Sequence, residues 1–286
     1  MSSMWDKDAA DRYEAWYSSP RGAFALAREQ RLLAHMLSAW QRRNHTLLEI
    51  GCGAGHFLEM FYNGGFDVTG IDQSEPMLEK ARERMGNRAT LRIGNAERLP
   101  FDDGEFDFVA MVTSLECVDN PETVLAEAFR VATRGIVIAY LNSWSVYRLE
   151  KMFGHTWGAL RYRKAGKQSA GEEKEEPEPQ RIRLLQQARW FNLFSICNII
   201  RKTSGKRPTA FRSTLFAPSF LWRGYEPFSL SWAQLLPFGA VSVVRVDLEP
   251  VSATPIALRA PKLSTAAQSP VGAISMEQYP KSQERP

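Results

Sequence analysis

LLEIGCGAGHF, residues 47–57, is the stretch whose reading decides the fold. An apolar run closes on Glu49, and glycines follow at alternate positions, Gly51, Gly53 and Gly55. Glycine where a strand runs out lets the backbone approach a ligand, and the next helix presents its free N–H groups there. The dinucleotide pattern GxGxxG needs a glycine where this chain has His56. The loop is therefore GxGxG, with an acid two residues ahead of it. A carboxylate would repel a pyrophosphate, whereas beside a cationic or hydroxyl-bearing ligand it is welcome. Taken alone, the loop also reads as a tight strand-to-helix turn.

Outward from this loop, strands and helices alternate. TLLEI (46–50) is the first strand, and GHFLEMFYNGG is a helix ended by Gly64 and Gly65. FDVTGID (66–72) is a second strand; Ser74 caps a helix to about Met85, with Pro76 tolerated in its first turn. ATLRIG and FDFVAMV (106–112) are the third and fourth strands, and NPETVLAEAFRVAT is a helix starting at an Asn cap. GIVIAYL (135–141) is continuous and branched, as a doubly buried parallel strand should be. Ahead of this unit, residues 5–42 read as two helical pieces broken at SSPRG (18–22). Beyond it, 182–202 reads as a helix, and FRSTLFAP and AVSVVRVDL (240–248) as strands. The alternation predicts an open parallel sheet with helices on both faces, whose ligand sits outside the carboxyl ends of the strands.

The bulk properties narrow the class. At 286 residues, 44% hydrophobic and 24% charged, the chain can bury a real core. A formal charge of +4 and a pI near 9.0 are only mildly basic. Basic residues gather weakly at Arg161–Lys167 and Arg201–Arg207, and a nucleic-acid footprint would be denser. The cysteines, Cys52, Cys117 and Cys197, form no CxxC pair and no zinc-spaced cluster, which argues for reduced thiols in a cytoplasm. The polar, aromatic start MSSMWDKDAADRYEAWY is not a signal peptide, and no run approaches the roughly 18 apolar residues of a membrane span. The expected organisation is an N-terminal helical lid over 1–45 and one α/β domain over 46–249. Insertions at about 142–181 (GKQSAGEEKEEPEPQ) and 217–239 interrupt that domain, and a pattern-free tail over 250–286 is expected to be disordered.

The strand ends supply candidate binding residues. Asp72 lies 21 residues beyond Gly51, the usual place for an acid that takes both ribose hydroxyls. After the third strand, Asn95 and the backbone at Ala96 can read an adenine edge, with Glu97 next to them. The fourth ends in Val112-Thr113-Ser114-Leu115-Glu116, where small hydroxyls leave room for a substrate.

The order LLEIGCGAG, GID, GNAERLPFDDGEFDFVAMV, NPETVLAEAFRV resembles the class I S-adenosylmethionine (SAM)-dependent methyltransferases. It is similar to the group related to ubiquinone/menaquinone biosynthesis methyltransferases, over residues 5–141 above all. The expected fold is then α/β: a doubly wound, Rossmann-like seven-stranded sheet, mostly parallel with an antiparallel last strand, and helices on both faces. The resemblance implies SAM as cofactor and S-adenosylhomocysteine (SAH) as product. It implies Glu49 near the methionine amino group and Gly51, Gly53 and Gly55 along the methionine and ribose, with Cys52 in the same loop. Asp72 would take the ribose hydroxyls and Gln73 and Met77 pack by the adenine, which Asn95, Ala96 and Glu97 border. Ser114 would lie near the sulfonium, and Tyr13 and Tyr17 resemble the family's aromatic lid residues. Two departures stand out: Asn95 replaces the frequent aspartate, and RVATRGIVIAY lacks the usual proline-glycine turn.

Methyl transfer from a sulfonium is an in-line displacement, so alignment and exclusion of water are the enzyme's main tasks. A general base is needed only for a nucleophile of high pKa. The candidates are Glu116, Tyr17, Tyr140 and His155, each with a plain structural reading as capping acid, helix packing, core or surface. No (N/D)PP(Y/F) motif follows the fourth strand, which argues against a base or glutamine amine. The aromatic residues Trp144, Trp157, Trp190, Phe191, Phe194, Phe216, Phe220 and Trp222 either line an apolar pocket or cover the sheet. The expected activity is methyl transfer to a small, partly apolar molecule. The alternatives are a SAM-fold binding protein without turnover and an RNA methyltransferase.

Overall fold

The computed structural model describes residues 5–149, 188–216 and 233–249. Helices α1 (Lys7–Ser18) and α2 (Pro20–Met36) lead into β1 (Thr46–Ile50), α3 (His56–Asn63) and β2 (Asp67–Asp72). Then follow α4 (Glu75–Met85), β3 (Ala89–Ile93), β4 (Phe106–Val112), α5 (Pro121–Val131) and β5 (Ala132–Leu141). The described chain closes with α6 (Leu193–Ser204), β6 (Ala210–Thr214) and β7 (Val241–Asp247). The seven strands form one sheet in the order β3-β2-β1-β4-β5-β7-β6. β1 to β5 pair in parallel, and β7 runs antiparallel to both β5 and β6, so a single strand is reversed.

Local chemistry explains the boundaries. Ser19 separates α1 from α2 because its side chain accepts from the Gly22 N–H, and Pro20 suits a first helical turn. Ser74 accepts from Met77 N and starts α4, with Pro76 in its first turn. The expected Asn120 cap is not made by the side chain: Asn120 Nδ2 turns to the Glu97 carboxylate instead, at 3.3 Å and 3.4 Å. α6 starts at Leu193, where Asn192 and Ser195 form a reciprocal capping box. The expectations for 150–187, 217–232 and 250–286, including His155, Trp157, Phe220 and Trp222, lie outside the described residues.

The core has two layers, one on each face of the sheet. Leu47, Phe57, Phe61, Val137 and Val243 pack with Leu32, Leu33 and Met36 of α2 on one face. Leu48, Ile50, Met111 and Ile138 pack with Leu125 of α5 and Ile196 of α6 on the other. Alternation along β1 therefore assigns Glu49 to the same face as Leu47, among apolar neighbours. β1 lies between β2 and β4, with Glu49 opposite Gly70 and Ala110, so the strand order reverses beside it. A crevice outside the strand ends forms at such a point.

Candidate active site

The glycine loop hangs from β2. Gly51 N and Cys52 N both donate to the Ile71 carbonyl, at 2.8 Å and 3.1 Å. Gly51 has φ +73°, and a Cβ there would sit 2.5 Å from Ser114 Cβ, so the position rejects any side chain. Ser114 is held against it because its Oγ donates to the Ile50 carbonyl at 2.8 Å. Gly53 has φ +51° and lines the cleft; a Cβ there would meet nothing within 4 Å and would project into open space. Gly55 opens α3 facing Ala81, and Cys52 is buried with its Sγ toward Gly70; neither lines the cleft. Burial pushes the Cys52 thiol up, which keeps it an unreactive packing group.

Two acids lie together at the loop. Asp72 accepts from Gly53 N through Oδ2 and from Ser74 N through Oδ1, both at 2.9 Å. Burial raises its carboxyl while these N–H groups pull the other way. Glu49 is 1% exposed, behind the loop, and its Oε2 has no hydrogen-bond partner among the described residues. Burial pushes this carboxyl well above the usual range, and the neighbouring Asp72 charge adds to the shift. An unpaired carboxylate oxygen is costly in such a place unless it is protonated or meets a cation.

The cleft, about 190 Å³, runs across the carboxyl ends of β3, β2, β1, β4 and β5. Asp72, Gln73, Met77, Asn95, Ala96 and Glu97 line one end. Asn95 Oδ1 accepts from Glu97 N at 2.8 Å, and the Glu97 carboxylate accepts from Asn120 N at 2.9 Å, which fixes this rim. Thr113, Ser114, Glu116 and Leu141 line the other end, with Val112, Cys117, Val118 and Ala188. Glu116 is 3% exposed; its carboxylate accepts from Leu141 N, and its carbonyl accepts from Arg189 N at 3.0 Å. Tyr140 is fully buried in the core and outside the cleft, and burial raises its phenol, so it is packing rather than a base.

The N-terminal helices close one side. Trp5 and Tyr13 line the cleft, while Tyr17 sits behind Tyr13, with hydroxyls 3.3 Å apart and its ring 4.5 Å from that of His56. Of the two expected lid tyrosines, only Tyr13 reaches the cleft. α1 is tied down by the Glu14 carboxylate, 2.7 Å from His56 Nε2 and 2.8 Å from Arg84, and by Lys80 on Asp11 at 3.0 Å. Burial opposes ionisation of Glu14, but the His56 bond and the His56, Arg84 and Lys80 charges outweigh it and hold its pKa low. Ser74 Oγ donates to the Trp5 carbonyl at 2.7 Å. Trp144, Trp190, Phe191, Phe194 and Phe216 do not line the cleft: Phe191 joins the core, and Trp144 and Phe194 form an exposed edge-to-face pair. Among the described residues no group of His, Cys, Asp and Glu is placed to hold a metal.

Comparison with known proteins agrees with this geometry. The family described as "Methyltransferase domain" matches residues 48–139. A phosphatidylethanolamine N-methyltransferase of Cereibacter sphaeroides is 32% identical over 146 residues, 48% of this chain and 70% of that protein. The chain belongs to the class I SAM-dependent methyltransferases. The methyltransferase is also 32% identical to the ubiquinone/menaquinone biosynthesis C-methyltransferase UbiE of Methylobacterium nodulans, over 45% of this chain and 54% of that one. Among solved structures it is similar to a SAM-dependent methyltransferase, possible histamine N-methyltransferase, from Thermotoga maritima. That likeness has a TM-score of 0.62 at 25% identity, over 86% of this chain and all of the other. Magnesium protoporphyrin IX methyltransferase from Synechocystis, with SAH bound, shares the fold at a TM-score of 0.57.

The residues of this methyltransferase fit SAM. The unpaired Glu49 oxygen suits a cation, Gly53 leaves the space a ligand would occupy, and Asp72 borders that space. Sequence reasoning missed Trp5, whose only signal is an aromatic ahead of the first helix, and Leu141 and Ala188, which the cleft acquires from the end of β5 and the chain beyond it.

Proposed function

We propose that this methyltransferase delivers the methyl group to a small, partly apolar acceptor at the β4–β5 end of the cleft. The observation that carries the reading is the apolar wall of Val112, Cys117, Val118, Leu141 and Ala188 beside Ser114. The names of two relatives, phosphatidylethanolamine and ubiquinone/menaquinone, denote molecules with long apolar parts, which supports such an acceptor. SAM, when bound, supplies an activated methyl group on a positively charged sulfur. Glu49 holds the amino-acid ammonium and Asp72 the ribose hydroxyls, Gln73 and Met77 flank the adenine, and Asn95 and Ala96 read its edge. Trp5 and Tyr13 of the N-terminal lid exclude water, so positioning does most of the work. The three cysteines are free thiols, which suits a cytoplasmic, reducing compartment.

The test is a screen of small acceptors with SAM, read by mass spectrometry as the gain of one methyl group. Methylation of a partly apolar small molecule is expected. Transfer to RNA alone, with a salt-sensitive RNA gel shift, would contradict the reading.

A further inference from the structure

Among the described residues, three that are not glycine have a positive φ: Asn44 at +63°, Thr113 at +48° and Leu215 at +63°. Asparagine visits this region readily, and Leu215 is buried in the core, away from the cleft. Thr113 is the β-branched one, for which a left-handed backbone is an outlier, and it lines the cleft. Strain of this kind gathers where a side chain must be held for function.

The turn changes what Thr113 has to offer. Val112 pairs with Ala139 in the parallel ladder, and Thr113 N still donates to the Ala139 carbonyl at 2.8 Å. One further step of the ladder would bring the Leu141 N–H to the Thr113 carbonyl. Instead, Leu141 N donates to the Glu116 carboxylate. β4 thus parts from β5 at Thr113, at the carboxyl end of the sheet. The Ser114 hydroxyl next to it is committed to the Ile50 carbonyl, whereas the Thr113 hydroxyl has no hydrogen-bond partner among the described residues.

The sheet order says what that hydroxyl meets. β4 stands between β1, whose loop holds the amino-acid end of SAM in the site proposed above, and β5, whose Leu141 walls the acceptor. The group that passes between them is the methyl on the positively charged sulfur. We propose that the Thr113 hydroxyl oxygen contacts this sulfonium methyl and makes the cleft favour SAM over SAH. The inference rests on that methyltransferase site. A methyl on a cationic sulfur is a polarised C–H donor, and SAH has neither the methyl nor the charge. The contact therefore exists before transfer and is gone after it.

The test is calorimetry with SAM and with SAH on the wild type, Thr113→Ser, Thr113→Val and Thr113→Gly. Both ligands share the adenosine and the amino-acid end, so contacts to Glu49 and Asp72 cancel in the ratio of affinities. Thr113→Val keeps the shape and the β-branch without the hydroxyl. Thr113→Gly also lacks it and is at ease at φ +48°, which guards against a variant that does not fold. Both are expected to move the ratio about threefold toward SAH, the scale of one C–H···O contact. Thr113→Ser is expected to keep the wild-type ratio. A threonine kept for the turn alone would leave the ratio unchanged in Thr113→Gly, and that result overturns the inference. An equal shift in Thr113→Ser does so too. A wild type that binds neither ligand overturns the methyltransferase site and this inference with it, whereas an unchanged ratio with both ligands bound overturns the inference alone.

Discussion

Binding of SAM should release a proton, and Glu49 should be its source. In the ligand-free protein Glu49 is 1% exposed with Oε2 unpaired, and burial first, then Asp72, raises its pKa well above the ordinary carboxylate range. The carboxyl is therefore protonated over a window that begins near the ordinary carboxylate pKa. An arriving ammonium pays for ionisation by pairing with it. Below the folded pKa about one proton should leave per ligand, and affinity should rise about tenfold per pH unit. Each pH unit across that window also costs the free protein about 1.4 kcal/mol, because the folded state binds the proton more tightly than the unfolded chain. Stability of the ligand-free protein should thus fall as pH rises out of the carboxylate range and level off above the folded pKa. Calorimetry in two buffers of different ionisation enthalpy counts the proton directly. Glu49→Gln should release none, lose most of the pH slope in affinity, and bind more weakly by about 1.5–3 kcal/mol, the value of a charged hydrogen bond. Proton release unchanged in Glu49→Gln, or absent from the wild type throughout the window, would refute this reasoning.

Other perturbations follow from the same contacts. Gly51→Ala should destabilise by about 2–5 kcal/mol in a thermal melt, since φ +73° strains any side chain and the new Cβ meets Ser114; adding Ser114→Gly should recover the steric part only. Glu14→Gln should loosen α1 and expose it to limited proteolysis. Because the Glu14 pKa is lowered on folding, its contribution is present above the unfolded pKa and is lost as pH falls through the folded value. Tyr13→Ala should weaken SAM binding in calorimetry by more than Tyr17→Phe, because only Tyr13 borders the cleft. Arg130→Ala should cost about 1–3 kcal/mol in a denaturant melt, since Arg130 donates to the Leu99 and Phe101 carbonyls and to Asp103.

Much of this was legible in the sequence because its signals are local. TLLEI and FDFVAMV match β1 and β4 residue for residue, since branched and aromatic runs bounded by polar turns leave little choice of register. The glycine loop was readable for the same reason, since a positive φ needs glycine, whereas the bonds by which Asp72 braces that loop could not be read from its place at the end of a strand. What was not legible depends on contacts far apart in the chain. Trp5 reaches the cleft because Ser74 holds its carbonyl, and Tyr17 misses it because His56 and Tyr13 pack around it. Asn120 looked like a cap, but the Glu97 carboxylate, 23 residues away, competes for its amide. The aromatic residues beyond β5 have no helical or strand period that would say which way they face. Phe191 turned to the core and Phe194 to solvent.

Calorimetric titration of the wild type and Asp72→Ala with SAM asks most plainly whether the loop and the β2 acid form the cofactor site. Asp72 accepts from Gly53 N and Ser74 N, so its loss removes the brace of the loop together with the proposed ribose contact. Micromolar binding by the wild type, weakened at least about tenfold in a variant that still unfolds cooperatively, is the predicted result. No binding by the wild type, or equal binding by the two proteins, would contradict it and leave LLEIGCGAGHF as a turn kept for the fold alone.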